Sequence, residues 1–377
     1  MSTSVINTTT ATTTTTANTT TGTTSSGSSS SATSAVTCSY SQLSILTVGA
    51  NPRAIASGDF NKDGVLDLVT ANLDAGTISV LIGKGSGNFG DAVTYHVGSN
   101  PYQVVVADFN GDGYPDIATA NFGGSEISVL LNIGDGTFAT AISYSTGSKP
   151  RALVVADLNG DKIADIAVAN STASSVSALL GNGNGTFKTQ ISASAGSVPH
   201  GIVAADFNGD GRMDLAVVNN ASTGKVTLLL GTGNGSFSSG STLSVGTSPF
   251  GLATGDFNGD GLADLVVANQ GDNSISVFMG KGDGNFATVQ TYASSGPAVA
   301  VTVAKLRGSI TDILVPTFTG NTVDIFTGTG TGTFIRSISL NSSGAYAVTT
   351  GDINNDGALD IIVAGSAGVS LFKATCF

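Results

Sequence analysis

Apolar residues along this chain fall in short runs, each closed by a polar or glycine-rich break, and the whole arrangement recurs. Residues 101–147 show one round: PYQVVVADFN (101–110), DIATAN (116–121), EISVLLN (126–132) and AISYSTG (141–147). The runs are strand-length and rich in Val, Ile and Ala, and no long stretch carries a helical period. The breaks hold Gly, Asn, Asp and Ser, the residues of turns. Each round therefore predicts a four-stranded unit, with an inner, a second, a third and an outer strand.

An acidic phrase joins the inner strand to the second. It reads DFNKDGVLD at 59–67, DFNGDGYPD at 108–116, DLNGDKIAD at 157–165, DFNGDGRMD at 206–214, DFNGDGLAD at 256–264 and DINNDGALD at 352–360. The starts are 49, 49, 49, 50 and 96 residues apart, and a degenerate copy, KLRGSITD at 305–312, lies in the long gap. Seven units of about this period predict an all-β fold, a seven-bladed β-propeller of four-stranded blades. A Gly-x-Gly-x-Phe turn follows the third strand, as in GNGNGTF at 181–187. Its Phe is read as packing between blades.

The ends of the chain do not match the repeat. An outer strand, 44–52, comes first, and 368–377 is a third strand lacking a fourth. The N-terminal strand should therefore complete the last blade and close the ring. The only two cysteines, Cys38 and Cys376, bracket this region. They predict a disulfide across the closing blade and an oxidising compartment, extracellular or at a cell surface. A propeller domain is thus expected over 38–377.

Residues 1–37 are nearly all Thr, Ser, Gly and Ala, with Asn-Thr-Thr sequons at Asn7 and Asn18. Such a segment cannot bury a core and reads as a linker, a glycosylated stalk or an assembly arm. No apolar run reaches the roughly 18 residues of a membrane span. No secretory apolar segment follows Met1, so an extracellular reading implies a mature or truncated chain.

In each intact phrase, oxygens at positions 1, 3, 5 and 9 and the carbonyl at position 7 suit a hard cation in a small loop, above all Ca²⁺. The candidate ligands are Asp59, Asn61, Asp63, Val65 and Asp67; Asp108, Asn110, Asp112, Tyr114 and Asp116; Asp157, Asn159, Asp161, Ile163 and Asp165. The set continues with Asp206, Asn208, Asp210, Arg212 and Asp214; Asp256, Asn258, Asp260, Leu262 and Asp264; and Asp352, Asn354, Asp356, Ala358 and Asp360. Asx-turns alone would account for one such copy; six in register favour about six ions. Lys162 replaces the position-6 glycine of the third loop. Lys305 and Arg307 replace the first Asp and the Asn of the sixth, which is expected to be metal-free. Three Asp in each of six loops make eighteen of the 26 acidic residues, so six Ca²⁺ would cancel the formal charge of −12. The low isoelectric point therefore says little about partners, and no nucleic-acid partner is expected.

The acidic phrase and the Gly-x-Gly-x-Phe turn together resemble the FG-GAP/VCBS repeat family, best known from the seven-bladed propellers of integrin α subunits. The resemblance spans roughly 38–377. It implies calcium loops on one face and ligands on the other. It does not select an activity, because the fold hosts adhesion domains, lectins and accessory domains of enzymes.

Six residues before each phrase stands a variable side chain: Arg53, Tyr102, Arg151, His200, Phe250, Val299 and Tyr346, with Pro before the first five. They are expected to ring the mouth of the central channel. There two Arg could clamp a carboxylate or sulfate while the aromatics stack on a sugar; the other reading is that large residues plug the funnel. An enzyme is not expected. The chain has two His, His96 and His200, and no carboxylate pair stands out. The function expected is that of a non-catalytic, extracellular calcium-binding propeller for adhesion or recognition of a glycan or cell-surface protein. The alternatives are a glycosylated filament subunit assembled through the N-terminal arm and an accessory domain of a polysaccharide-active enzyme.

Overall fold

The second strand of every blade is buried on both faces. Asp67–Asn72, Asp116–Asn121, Asp165–Asn170, Asp214–Asn219, Asp264–Asn269, Asp312–Thr317 and Asp360–Gly365 expose no residue to solvent. A strand can be so placed only if its sheet is sandwiched between two others. The computed structural model, which describes residues 37–221 and 223–377, shows this arrangement. Seven antiparallel four-stranded sheets each run from inner to outer strand in sequence order, except the last. That blade pairs Ala347–Gly351, Asp360–Gly365 and Gly368–Cys376 with the N-terminal strand Cys38–Leu46. Among the described residues no helix is long and apolar enough to cross a membrane.

The closing strand departs from expectation in its bounds. It runs Cys38–Leu46 instead of 44–52, because its nine-residue partner Gly368–Cys376 offers a full ladder, from Cys38 opposite Cys376 to Leu46 opposite Val369. Residues 47–51 turn instead, and Asn51 takes a left-handed φ of 56° before Pro52 opens the first inner strand. Cys38 and Cys376 are disulfide-bonded. The N-terminal arm, its sequons and any assembly role lie outside the described residues; Thr37 already pairs with Phe377.

Apolar clusters fill the spaces between neighbouring blades. Each buried Val or Leu there contributes about 1.5–3 kcal/mol. The Phe of the glycine turn works as expected. Phe138, Phe187, Phe286 and Phe334 pack edge-on or tilted against position 2 of the preceding acidic loop, namely Phe60, Phe109, Phe207 and Phe257. The turns also brace those loops. Gly185, Gly235, Gly284, Gly332 and Gly87 donate their N–H to the position-2 carbonyls of Phe109, Leu158, Phe207, Phe257 and Ile353. Asn132 serves Phe60 through its side-chain amide. The sixth loop has no such turn beside it. Its position-2 residue, Leu306, packs with Tyr40, and Cys38 Sγ lies 3.6 Å from the Leu306 carbonyl. A disulfide sulfur carries no proton, so that contact is packing. The closing strand and its disulfide thus stand where every other blade has its glycine turn.

Candidate functional site

All six intact acidic phrases curl in the same way. The position-1 carboxylate accepts the N–H of position 6: Gly64 to Asp59 at 2.9 Å, Gly113 to Asp108 at 2.7 Å and Gly357 to Asp352 at 2.7 Å. The position-5 carboxylate accepts the N–H of position 7, as Val65 does to Asp63 at 2.8 Å. In the first five loops the Asn at position 3 also donates its amide to position 5. Lys162 keeps the third loop in register at a left-handed φ of 66°, a conformation that costs a non-glycine residue about 1–2 kcal/mol.

The ninth position is different in kind. Asp67, Asp116, Asp165, Asp214, Asp264 and Asp360 are fully buried. Each carboxylate accepts the N–H of position 2 and that of a residue near or beyond the end of the third strand. For Asp67 these are Phe60 and Gly83, both at 2.7 Å. For Asp360 they are Ile353 at 3.1 Å and Ala374 at 2.7 Å. This Asp is therefore a structural tie as well as a candidate ligand. Desolvation pushes Asp67, Asp116 and Asp165 up to about 6, against the pull of the backbone N–H groups and with a further push from the two Asp at positions 1 and 5. Asp214, Asp264 and Asp360 shift the same way for the same reasons.

The donor chemistry suits a hard cation: carboxylate and amide oxygens, most with a single N–H partner, crowded enough to repel. In the seventh loop Asn354 turns its amide to Asp360, leaving its Oδ1 buried without a partner. The carboxylates are not drawn together, however. Among the described residues no group of three or more His, Cys, Asp or Glu side chains converges closely enough to hold a metal ion. Hydrogen bonds to the backbone hold each loop in the shape of Asx-turns.

The sixth loop meets the same buried charge with a side chain of its own. Asp312 is as buried as its counterparts and keeps the N–H of Gly328 at 2.9 Å. Arg307 replaces the other backbone donor: its guanidinium grips both carboxylate oxygens, at 2.6 and 3.3 Å.

On the opposite face the seven ring residues do gather, but not as an open mouth. Tyr102, His200, Phe250 and Val299 are buried and plug the channel; Arg53, Arg151 and Tyr346 are half-buried above them. A second ring contributes Leu73, Phe122 and Phe318. These residues directly follow the Asn or Thr that ends their second strands, a fixed offset that polar residues occupy in the other blades. The N–H of Leu73 and of Phe122 bonds the carbonyl of Asn51 and of Asn100. The result is a ladder of stacked groups. Phe318 lies on Tyr346 at 4.2 Å, Arg53 over Tyr346 at 3.6 Å, Arg151 over Tyr102 at 4.3 Å and over Phe250 at 4.7 Å, and His200 against Phe250 at 4.9 Å. Arg151 also donates to the Tyr102 hydroxyl at 2.7 Å.

The electrostatics of this face are unbalanced. Neither Arg53 nor Arg151 forms an ion pair among the described residues, and the Nε of each is buried without an acceptor. Burial lowers the pKa of Arg151, and repulsion from Arg53 adds to the effect. His200 is held down to about 3 by burial and then by the charge of Arg151, so it is neutral and accepts from the Asn220 amide. His96, by contrast, is exposed on an outer strand.

No curated protein matches the chain in sequence. Solved structures share its architecture at low identity. BBS1N, solved in complex with ARL6DN, superposes with a TM-score of 0.63 at 12% identity, covering 88% of this chain and 94% of that one. A lectin of Agrocybe aegerita described as recognising non-reducing terminal N-acetylglucosamine gives 0.52 at 18%, covering 87% and 86%. A catalytically inactive virginiamycin B lyase of Staphylococcus aureus, solved with quinupristin, gives 0.60 at 13%, covering 90% and 99%. At these identities the likeness is one of fold. The model of the FG-GAP-like repeat matches six times in succession, over 59–119, 108–168, 157–217, 206–267, 256–308 and 309–363. With the acidic loops, the bracing turns and the seven blades in place, the chain belongs to the family of FG-GAP-like repeat proteins.

Proposed function

We propose that this protein is an extracellular, calcium-loaded recognition module without catalysis, and that it takes an acidic glycan at the arginine–aromatic face. The observation that carries the reading is the pair Arg53 and Arg151. Two half-buried guanidiniums that repel one another, each with an orphaned Nε, make a costly arrangement without an anion. A carboxylate or sulfate would relieve it, since guanidinium pairs such groups through two parallel hydrogen bonds. Phe122, Phe318 and Tyr346 offer half-exposed apolar surface beside it, suited to the face of a sugar ring. The Cys38–Cys376 disulfide supports an oxidising compartment.

Calcium would be held by the oxygens at positions 1, 3, 5, 7 and 9 of the six intact loops. Its role would be to neutralise three carboxylates per loop and so fix the ends of the inner strands. Those strands carry the ring residues at their other ends, which links the two faces.

Calorimetric titration with uronate-bearing, sulfated and neutral oligosaccharides tests the reading. Binding of acidic but not neutral chains is expected, weakened at least about tenfold by Arg53→Ala with Arg151→Ala, the scale of a lost charge-assisted pair. Equal binding of neutral and acidic chains, or an unaffected double variant, would sink it.

A further inference from the structure

In the first three blades a serine in the middle of the third strand is covered from the side. Ser79, Ser128 and Ser177 accept the N–H of a glycine in the connection that enters the blade, Gly49, Gly98 and Gly147, at 3.1 Å each. In the third blade the Ser177 hydroxyl also donates to the Gln190 side chain. The fifth blade departs from this at both contacts. Its Gly246 donates to the Asn269 side chain at 3.1 Å, and the next residue, Thr247, is held by Asp272 through its N–H at 2.6 Å and through its hydroxyl. Val289 stands two residues before Thr291, the strand partner of Ser276, as Gln190 stands two before Ser192, the partner of Ser177. Valine accepts no hydrogen bond. Here a cavity of about 400 Å³ opens between the outer parts of the fourth and fifth blades. It lies toward the arginine–aromatic face, at the start of the third strand Ser274–Phe278.

Two serines of this cavity, Ser274 and Ser276, are only 6% and 2% exposed. Each accepts from the Asn269 amide, at 3.1 and 2.9 Å, and among the described residues neither hydroxyl donates to an acceptor. A buried donor left unpaired is costly, so each proton calls for an acceptor inside the cavity. The lining adds the hydroxyls of Ser244 and Thr291, the apolar surface of Val245 and Val289, and one charge, that of Asp272.

We infer that this cavity binds one neutral sugar ring. Ring hydroxyls both accept and donate, which matches the two serine protons and the Asp272 carboxylate, and the valines suit the C–H face of the ring. Other classes fit less well. An anion would meet Asp272 with no cation in the lining, an apolar ligand would leave the serine protons unpaired, and a single carboxylate does not make a site for a hard cation. The volume falls within the range of about 300–1,000 Å³ typical of small-ligand sites. Neutral hydrogen bonds to one ring give affinity on the order of millimolar, weaker than the charge-assisted pairing proposed for the arginine face. The inference does not rest on that reading.

The test is ligand-observed NMR titration of the full chain, in calcium buffer, with glucose, galactose, mannose and fucose. Saturable binding of at least one is expected. Val289→Gln recreates the arrangement of the third blade: the new amide takes the Ser276 proton and fills the cavity. Val289 is 39% exposed, so the change should leave the fold intact and weaken binding at least about tenfold. Ser276→Ala removes one donor while the Asn269 amide keeps Ser274, and it should weaken binding about threefold or more. If the melting temperature of Val289→Gln falls, Ser276→Ala alone decides. Arg53→Ala with Arg151→Ala should leave this binding unchanged, whether or not acidic glycans bind the arginine face. Silence toward all of these sugars overturns the inference. So does binding that the cavity variants leave untouched, or binding that only the arginine variant removes, which would assign it to the other site.

Discussion

The sixth acidic loop and its six siblings do the same structural work with opposite electrostatics. In every blade a fully buried Asp ties the loop to a backbone N–H near or beyond the end of the third strand. In the sixth, Arg307 balances that carboxylate directly. In the others nothing in the chain does: two further Asp add to the charge, and the buried carboxyl is pushed up, in three loops to about 6. The difference teaches what the repeat needs. The tie is common to all seven blades, whereas a balancing cationic side chain is built in once; for the other six loops we propose that bound calcium takes its place. The exception also falls at the ring closure, where a disulfide replaces the bracing glycine turn.

Removing calcium should break the comparison most visibly. Chelation with EGTA is expected to lower the melting temperature by more than about 10 °C, because six loops lose their counter-ion together. Scanning calorimetry measures this, and Ca²⁺ should restore stability better than Mg²⁺, whose octahedron fits such a loop poorly. An unchanged transition in EGTA would mean that Asx-turns alone hold the loops.

Arg307→Met should sharpen it. The variant leaves Asp312 buried without its cation, at a cost of about 3–5 kcal/mol. Calcium should not recover this loss, since Lys305 and the new thioether supply no oxygen ligands. By contrast, Asp260→Asn in the fifth loop should cost stability in calcium and almost nothing in EGTA. Denaturant titrations under both conditions check the pair. If calcium repairs Arg307→Met, the sixth loop is not the metal-independent exception.

The fold was legible because its signals repeat. Spacing gave the blades, the unmatched ends gave the closure and the disulfide, and the second strands fell on the residues expected, as in Asp116–Asn121. The bounds of the closing strand were not legible. Cys38–Leu46 pairs through partner length, which no local pattern in 38–46 records. The ring residues were legible by offset, but their packing was not: that Tyr102 and Phe250 would be buried under Arg151 depends on contacts between blades. Leu73, Phe122 and Phe318 follow their second strands at one fixed offset, but the same position holds Ser171, Asn220, Gln270 and Ser366 in the other blades, so the offset alone does not mark a ring. The substitution of Lys305 and Arg307 announced a self-balanced loop, and the Arg307–Asp312 pair realises it.

The smallest effect concerns the opposite face, where uncompensated burial is of the other sign. His200 is buried beside Phe250, faces the positive charge of Arg151 and accepts from the Asn220 amide. Its folded pKa of about 3 lies below the unfolded value of about 6.5. The unfolded chain therefore binds the proton more readily, and the contribution of His200 is intact above about pH 6.5 and erodes as the pH falls toward 3. By pH 5.5 the loss should be about 1 kcal/mol. The buried loop carboxylates titrate with the opposite sign when free of metal, but they are common to protein and variant and cancel in a difference. His200→Gln keeps an acceptor for Asn220 and removes the titration. Between pH 7.5 and 5.5, in excess calcium, the unmodified protein should therefore lose about 1 kcal/mol more than the variant in paired denaturant titrations. Parallel losses would show that His200 is protonated in the folded ring. Arg53 and Arg151 would then face a third cation, and the case for an anion between them would have to be rebuilt on a different charge count.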